Sequence, residues 1–229
     1  MTASAHIIDV YLEIGKKRVF ACALDWPGWA RIGRDENSAL AALLDYAGRY
    51  GRALHVAHIP FDAPTSVSHL TVVERLEGNA TTDFGAPDIA PSSDTRPIDE
   101  AERTRLQALL QAYWGAFDAA ADAAVSKELR KGPRGGGRDV EGITRHVMGA
   151  EGGYLNRLAW KLKTHDTIPL SAQVAQTRQA VLDALAHAVR DGLPERGPRG
   201  GAIWSPRYFV RRVGWHTLDH AWEIEDRTE

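Results

Sequence analysis

The sequence predicts an α+β fold: a small N-terminal sheet with one helix, followed by an all-α four-helix bundle. Three observations carry this. From residue 6 to about 80, short runs rich in β-branched and aromatic side chains follow the period of strands. From Asp99 onward, apolar residues recur at three- and four-residue spacing, the period of amphipathic helices. Between them lies GNATTDFGAPDIAPSSDTRP, rich in turn-forming residues and poor in apolar surface to bury. The expected division is therefore a domain over 1–80, a linker over 81–96 and a helical domain over 97–229.

The elements follow in order. His6 to Ile14 and Arg18 to Leu24 read as a hairpin-like pair of strands about Gly15-Lys16-Lys17. Trp26-Pro27-Gly28-Trp29 turns the chain into a short strand, Ala30 to Gly33. Asp35 to Ser38 then caps a helix from about Ser38 to Tyr50, with Leu40, Leu43, Leu44 and Ala47 on one face and Gly51 as its stop. Ala53 to Ile59 and His69 to Leu76 are two further strands. In the second half, Leu106, Leu109, Leu110, Tyr113, Phe117, Ala120 and Ala124 line a long helix that starts near Asp99 and ends before Gly132-Pro133. GPRGGG is a flexible break. Asp139 caps a second helix, Ser171 to Arg190 form a third, and Ser205-Pro206 opens a fourth with Ser as cap and Pro in the first turn. No internal repeat is present.

Bulk properties exclude several classes. The chain of 229 residues has 44% hydrophobic and 25% charged content, a formal net charge of -2 and a pI near 6.5. Nothing here points to a nucleic-acid partner, and the basic tracts Lys127 to Arg138 and Arg207 to Arg212 read as solubilising charge. No apolar stretch approaches the roughly 20 residues that span a bilayer. The N-terminus lacks a signal sequence, so a cytoplasmic protein is expected. The single cysteine, Cys22, sits in an apolar strand and reads as a small buried side chain. P-loop, GxGxxG, GxSxG and HExxH motifs are absent.

Chemistry concentrates in the last helix, where His216 and His220 stand at i, i+4 and so lie one above the other. They share a stripe with Phe209, Val213 and Ile224, which turns them toward the interior or its mouth. On the second helix His146 lies beside Ile143, Val147 and Ala150, placing a third imidazole within reach. Three neutral imidazoles suit zinc, nickel or Fe(II) and leave coordination positions for water or substrate. A helical HxxxH pair is also common as packing, so spacing alone leaves both readings open. Asp219 and Glu223 flank the pair as candidate catalytic residues, orienting a histidine or accepting a proton; solvated helix charge is the bland alternative. Glu151 and Tyr154 rank behind them, as a surface glutamate and a core tyrosine or as pocket residues. Trp114, Trp215 and Trp222 wall a pocket or fill the interior. His6, His55, His58, His69, His165 and His187 show no comparable convergence, His55 and His58 facing opposite sides of their expected strand.

Two segments carry a resemblance. ITRHVMGAEGGYLNRL around His146 and WHTLDHAWEIED around His216 and His220 resemble the second-helix and closing motifs of the DinB/YfiT-like superfamily, over roughly residues 97–229. That resemblance implies a four-helix bundle with a triad of metal-binding histidines, often with zinc or nickel. Some members are transferases or isomerases that use mycothiol, bacillithiol or glutathione, while many have no established reaction. For this chain it implies a metal-dependent thiol S-transferase, isomerase or hydrolase acting on a small molecule, with a low-molecular-weight thiol as cosubstrate. Separately, ACALDWPGWARIGRDENSALAAL is similar to the HicB-like antitoxin fold over residues 6 to 60, which implies a domain that binds a protein partner. The alternative function is accordingly a non-catalytic regulatory module with a structural metal. A homodimer is left open.

Overall fold

The computed structural model describes residues 7–131, 137–163 and 167–228, arranged as two units. His6, His165 and most of the GPRGGG break, at 132–136, lie outside the described residues. The first unit is built on one sheet of β1 (Ile8–Ile14), β2 (Val19–Ala23), β3 (Ala30–Gly33) and β4 (Leu70–Glu77), in the order β3-β2-β1-β4. β1 and β2 pair antiparallel, with Tyr11 opposite Cys22, and β2 pairs antiparallel with β3. β4 runs parallel beside β1, an arrangement that requires a crossover connection. Gly28, at φ 92, makes the turn before β3 in a backbone conformation that side chains disfavour.

Two helices supply that crossover where the sequence suggested one helix and a strand. α1 (Glu36–Asp45) starts on a capping box in which Asp35 accepts the Ser38 amide at 2.8 Å. After a break at Tyr46 the chain continues as α2 (Ala47–Val56), so Gly51 stops nothing and the expected strand from Ala53 to Ile59 does not exist. Aromatic packing explains the reversal. The Tyr50 ring is buried and stacked on Trp29 at 5.4 Å, and Phe61 packs edge-on against both. The Trp29 indole donates to the Leu43 carbonyl at 3.0 Å. An interior glycine lowers helix stability by only about 1 kcal/mol, less than burial of several aromatic rings returns. His55 therefore lies on a helix and His58 just beyond it at φ 55, not on two faces of a strand.

Residues 81–96, read from sequence as a linker, are also structured. They carry most of α3 (Ala80–Phe84) and a 3₁₀ turn at Ser92–Thr95, and they belong to the first unit. Polar contacts replace the missing apolar ones. Glu13 of β1, 0% exposed, accepts from the Thr82 hydroxyl and from the Asp88 and Ile89 amides at 2.9 and 3.0 Å. The Ser92 amide donates to Glu74 of β4 at 3.1 Å.

The second unit holds α4 (Glu100–Ala123), α5 (Val140–Leu155), α6 (Leu170–Asp191) and most of α7 (Pro206–Arg227). The expectation of an all-α bundle covering 97–229 as a piece apart from a one-helix sheet domain is thereby overturned. Val210–Trp215, in the middle of α7, group with the sheet unit. Trp215 stands edge-on to Phe20 at 6.1 Å. Arg211 donates through Nε and Nη2 to Asp94 at 2.8 and 2.9 Å, and to the Ala23 and Leu24 carbonyls at 2.8 and 2.7 Å. No described helix is long and apolar enough to cross a membrane.

The Arg211–Asp94 pair is almost fully buried, with side chains 9% and 1% exposed. Removing one partner leaves the other charge in the interior without its counter-ion, so Asp94→Ala is expected to lower the unfolding free energy by about 3–5 kcal/mol. Urea denaturation checks this; a loss under about 1 kcal/mol would mean that water reaches Arg211 in the variant.

Candidate metal centre

Local chemistry sets each histidine-bearing helix. Asp139 caps α5 by accepting the Gly142 amide at 2.7 Å. Ser205 caps α7 through the Tyr208 amide at 3.3 Å, with Pro206 in the first turn. Ile143 and Val147 of α5 then pack with Ala221 and Ile224 of α7 and with Phe117, Ala120 and Ala124, the last just past the end of α4, in one buried cluster. Two of the three histidines sit next to that seam: His146 precedes Val147 and His220 precedes Ala221.

The three histidines singled out from the sequence come together. His146 Nε2 and His216 Nε2 are 3.3 Å apart, and one donor nitrogen from each of His146, His216 and His220 lies within 4.8 Å of the others. Ring centroids are separated by 5.0, 4.9 and 4.6 Å. Two imidazole nitrogens bound at about 2.05 Å to a tetrahedral ion stand about 3.3 Å apart, so the His146–His216 spacing fits an ion's coordination edge. Direct hydrogen bonding fits the trio less well, since one proton between two nitrogens satisfies a pair and not three converging rings.

Glu223 completes the arrangement from outside. Its Oε2 lies 2.7 Å from His220 Nδ1 and its Oε1 accepts from Arg227 Nη1 at 2.6 Å. A carboxylate on Nδ1 selects the tautomer that carries its proton there and leaves Nε2 as a lone pair for a metal. Its hydrogen bond to His220, with that to Arg227 behind it, holds the Glu223 carboxyl down at about 2. It is thus an ionised orienting group and a weak base, which favours the orienting reading over proton acceptance. Burial lowers the His146 pKa, with the neighbouring charges of His220 and Arg138 acting in the same direction, and so favours the neutral, ligating form. Asp219, the other flanking carboxylate, is half-buried and lies between His216 and His220 in sequence.

Sequence reasoning left Glu151 and Tyr154 between a pocket and a surface or core position, and the surface reading of Glu151 does not hold. Glu151 is 2% exposed and accepts from the Trp114 indole at 2.7 Å and the Thr217 hydroxyl at 3.3 Å. Its position was readable: Ile143, Val147, Glu151 and Leu155 follow one another at i+4 on the buried face of α5. Tyr154 is half-buried, its ring 6.1 Å from His216 and 5.3 Å from Trp204, a tryptophan that the sequence reading did not single out. Trp215 packs on Phe20, and Trp222 is buried. A cavity of about 370 Å³ lies between α5 and α6, lined by Gly149, Gly152, Lys161, Leu162, Gln173 and Thr177 among others. None of the three histidines lines it.

Compared with known proteins, the chain matches no protein-family model, no curated protein and no solved structure.

Burial pushes the Glu151 carboxyl up from 4.5 to about 7, against the smaller opposing effect of its Trp114 hydrogen bond. Between those values the folded chain holds a proton that the unfolded chain has released, so stability falls as pH rises through them and levels off above. Glu151→Gln keeps the shape and the neutral charge. In metal-free protein it is expected to remove about 2–3 kcal/mol of the stability lost between about pH 5 and about pH 8. Urea titrations across that range measure it, and an unchanged pH slope would show that Glu151 titrates normally.

Proposed function

We propose that the chain binds one divalent metal ion through His146, His216 and His220 and works as a metal-dependent enzyme on a small electrophilic molecule. The observation that carries this is the convergence of three imidazoles from two helices, with the His146–His216 nitrogens at the 3.3 Å spacing of a tetrahedral edge. The all-nitrogen neutral donor set suits zinc or nickel best, with Fe(II) as the next choice. Such an ion, when bound, supplies the positive charge that lowers the pKa of a thiol or water at a vacant position.

The chain's own groups do the rest. Glu223 orients His220 and fixes its tautomer, and burial favours the neutral form of His146. Tyr154 stands beside His216, with Trp204 packed against it, as an aromatic wall that orients an incoming substrate and limits water. The likeness of the His146 and His216/His220 segments to DinB/YfiT-like motifs supports a low-molecular-weight thiol as the cosubstrate. Transfer or isomerisation through that thiol is the favoured reaction class, with hydrolysis as the variant in which water takes its place.

The test is metal analysis of full-length protein made without a polyhistidine tag. Near-stoichiometric zinc or nickel is expected. His146→Ala, His216→Ala and His220→Ala should each weaken binding by more than the about 10–100-fold typical of losing an outer-sphere partner. Protein that stays metal-free after reconstitution with zinc, nickel and Fe(II) would overturn the proposal.

A further inference from the structure

We infer that Arg227 is a positioning residue for the metal site, acting on His220 through Glu223 from a seat that Gly137 keeps open. The inference rests on the metal reading above and goes beyond it, because Arg227 touches none of the three ligands in the contacts that define the site.

The relay runs along one face of α7. His220, Glu223 and Arg227 follow at i, i+3 and i+7, so each side chain meets the next. Glu223 uses one oxygen for His220 Nδ1, at 2.7 Å, and the other for Arg227 Nη1, at 2.6 Å. A carboxylate held at both oxygens cannot rotate about its terminal bond without breaking a charge-assisted hydrogen bond. The plane of the His220 ring, and with it the direction of Nε2, is fixed by that clamp.

Arg227 is itself held on its remaining sides. Its Nε donates to the Arg130 carbonyl at 2.8 Å and its Nη2 to the Arg138 carbonyl at 2.9 Å. The main chain reinforces this: the Arg130 amide donates to the Arg227 carbonyl at 2.8 Å, and Leu129 bridges to Thr228. Only a guanidinium presents three such donors in one rigid plane, which a lysine ammonium does not reproduce. An arginine that merely complemented the C-terminal dipole of α7 or formed a surface i, i+4 pair would need none of these extra acceptors and would be solvated. Arg227 is instead buried, its side chain 10% exposed.

Gly137 is the independent sign of a built seat. A Cβ at this position would lie 2.2 Å from Arg227 Nη2 and 2.9 Å from its Cζ. Any side chain there collides with the guanidinium, so the contact between the two must shift, while no group of the metal site is altered.

Cobalt(II) binding to the full-length chain tests the relay, read both as a dissociation constant and as the visible absorption of the bound ion, which reports ligand orientation. Arg227→Met is expected to weaken cobalt binding about 10-fold and to shift the absorption, as loss of an outer-sphere partner does. Gly137→Ala is expected to do the same with every polar group present, and Arg227→Lys to fall between wild type and Arg227→Met. In a Glu223→Gln background, Arg227→Met should add less than about 2-fold, because a relay is cut once. Wild-type affinity and an unshifted spectrum in both Arg227→Met and Gly137→Ala would overturn the inference. So would a full additional loss in the Glu223→Gln background, which would mark Arg227 as a general stabiliser. Should Arg227→Met fail to fold by circular dichroism, Gly137→Ala and Arg227→Lys decide the matter by the same two readouts. A wild-type chain that binds no cobalt, zinc or nickel refutes the metal reading itself, a result distinct from a wild type that binds and variants that bind equally.

Discussion

The histidine cluster depends on one packing seam, that of Ile143 and Val147 on α5 against Ala221 and Ile224 on α7. The small side chains of Ala221, Ala120 and Ala124 share that buried cluster. Because His146 adjoins Val147 and His220 adjoins Ala221, neither helix can slide or rotate without unpacking a close-packed core contact. Imidazole side chains are short. The precision of the site therefore comes from helix placement, and helix placement comes from four apolar side chains that carry no chemistry.

Around that seam, polar groups are buried only where they are answered, and two glutamates show how differently the answer works. Glu223 sits at the edge between a histidine and an arginine and stays ionised. Glu151 lies deep on α5, bonded to an indole and a hydroxyl, neither charged, and burial favours its protonated form. The same side chain thus acts as an anion in one place and as a neutral hydrogen-bonding group in the other, because at Glu151 desolvation outweighs the hydrogen bonds and the charge of Arg178. In the sheet unit Glu13 and the Arg211–Asp94 pair are likewise buried with their hydrogen-bond partners, tying residues 81–96 and the middle of α7 to β1 and β2 alongside the apolar packing of Trp215 and Ala86.

Much of this was legible in the sequence, and the failures share a cause. Caps at Asp35, Asp139 and Ser205, the strands other than Ala53 to Ile59, and the three histidines are all local or periodic signals, which a single sequence displays. α2 was not legible, since Gly48 and Gly51 argue locally against a helix while the rings of Trp29 and Phe61, distant in sequence, argue for it. Arg207 to Arg212 reads as a solvated basic tract until Glu102 and Asp94, more than a hundred residues away, appear opposite Arg207 and Arg211. Arg227 and Gly137 gave no signal at all, one being an unremarkable last-turn arginine and the other one glycine among several. Long-range partners of polar residues are what a single sequence conceals.

The charge arithmetic of the proposed centre follows from the relay. Three neutral imidazoles leave an ion's double positive charge undiminished, whereas thiolate ligands would cancel it, and an undiminished charge is what acidifies a thiol or a water. An outer carboxylate close to such an ion would ordinarily reduce that effect. Here the Glu223 anion faces the Arg227 guanidinium at 2.6 Å, so much of its field is spent on a fixed cation. What reaches the site is then mainly direction: the proton held on His220 Nδ1 and the lone pair aimed from Nε2. Separating orientation from neutralisation in this way lets one carboxylate hold a ligand in place while the centre keeps the charge its chemistry would require.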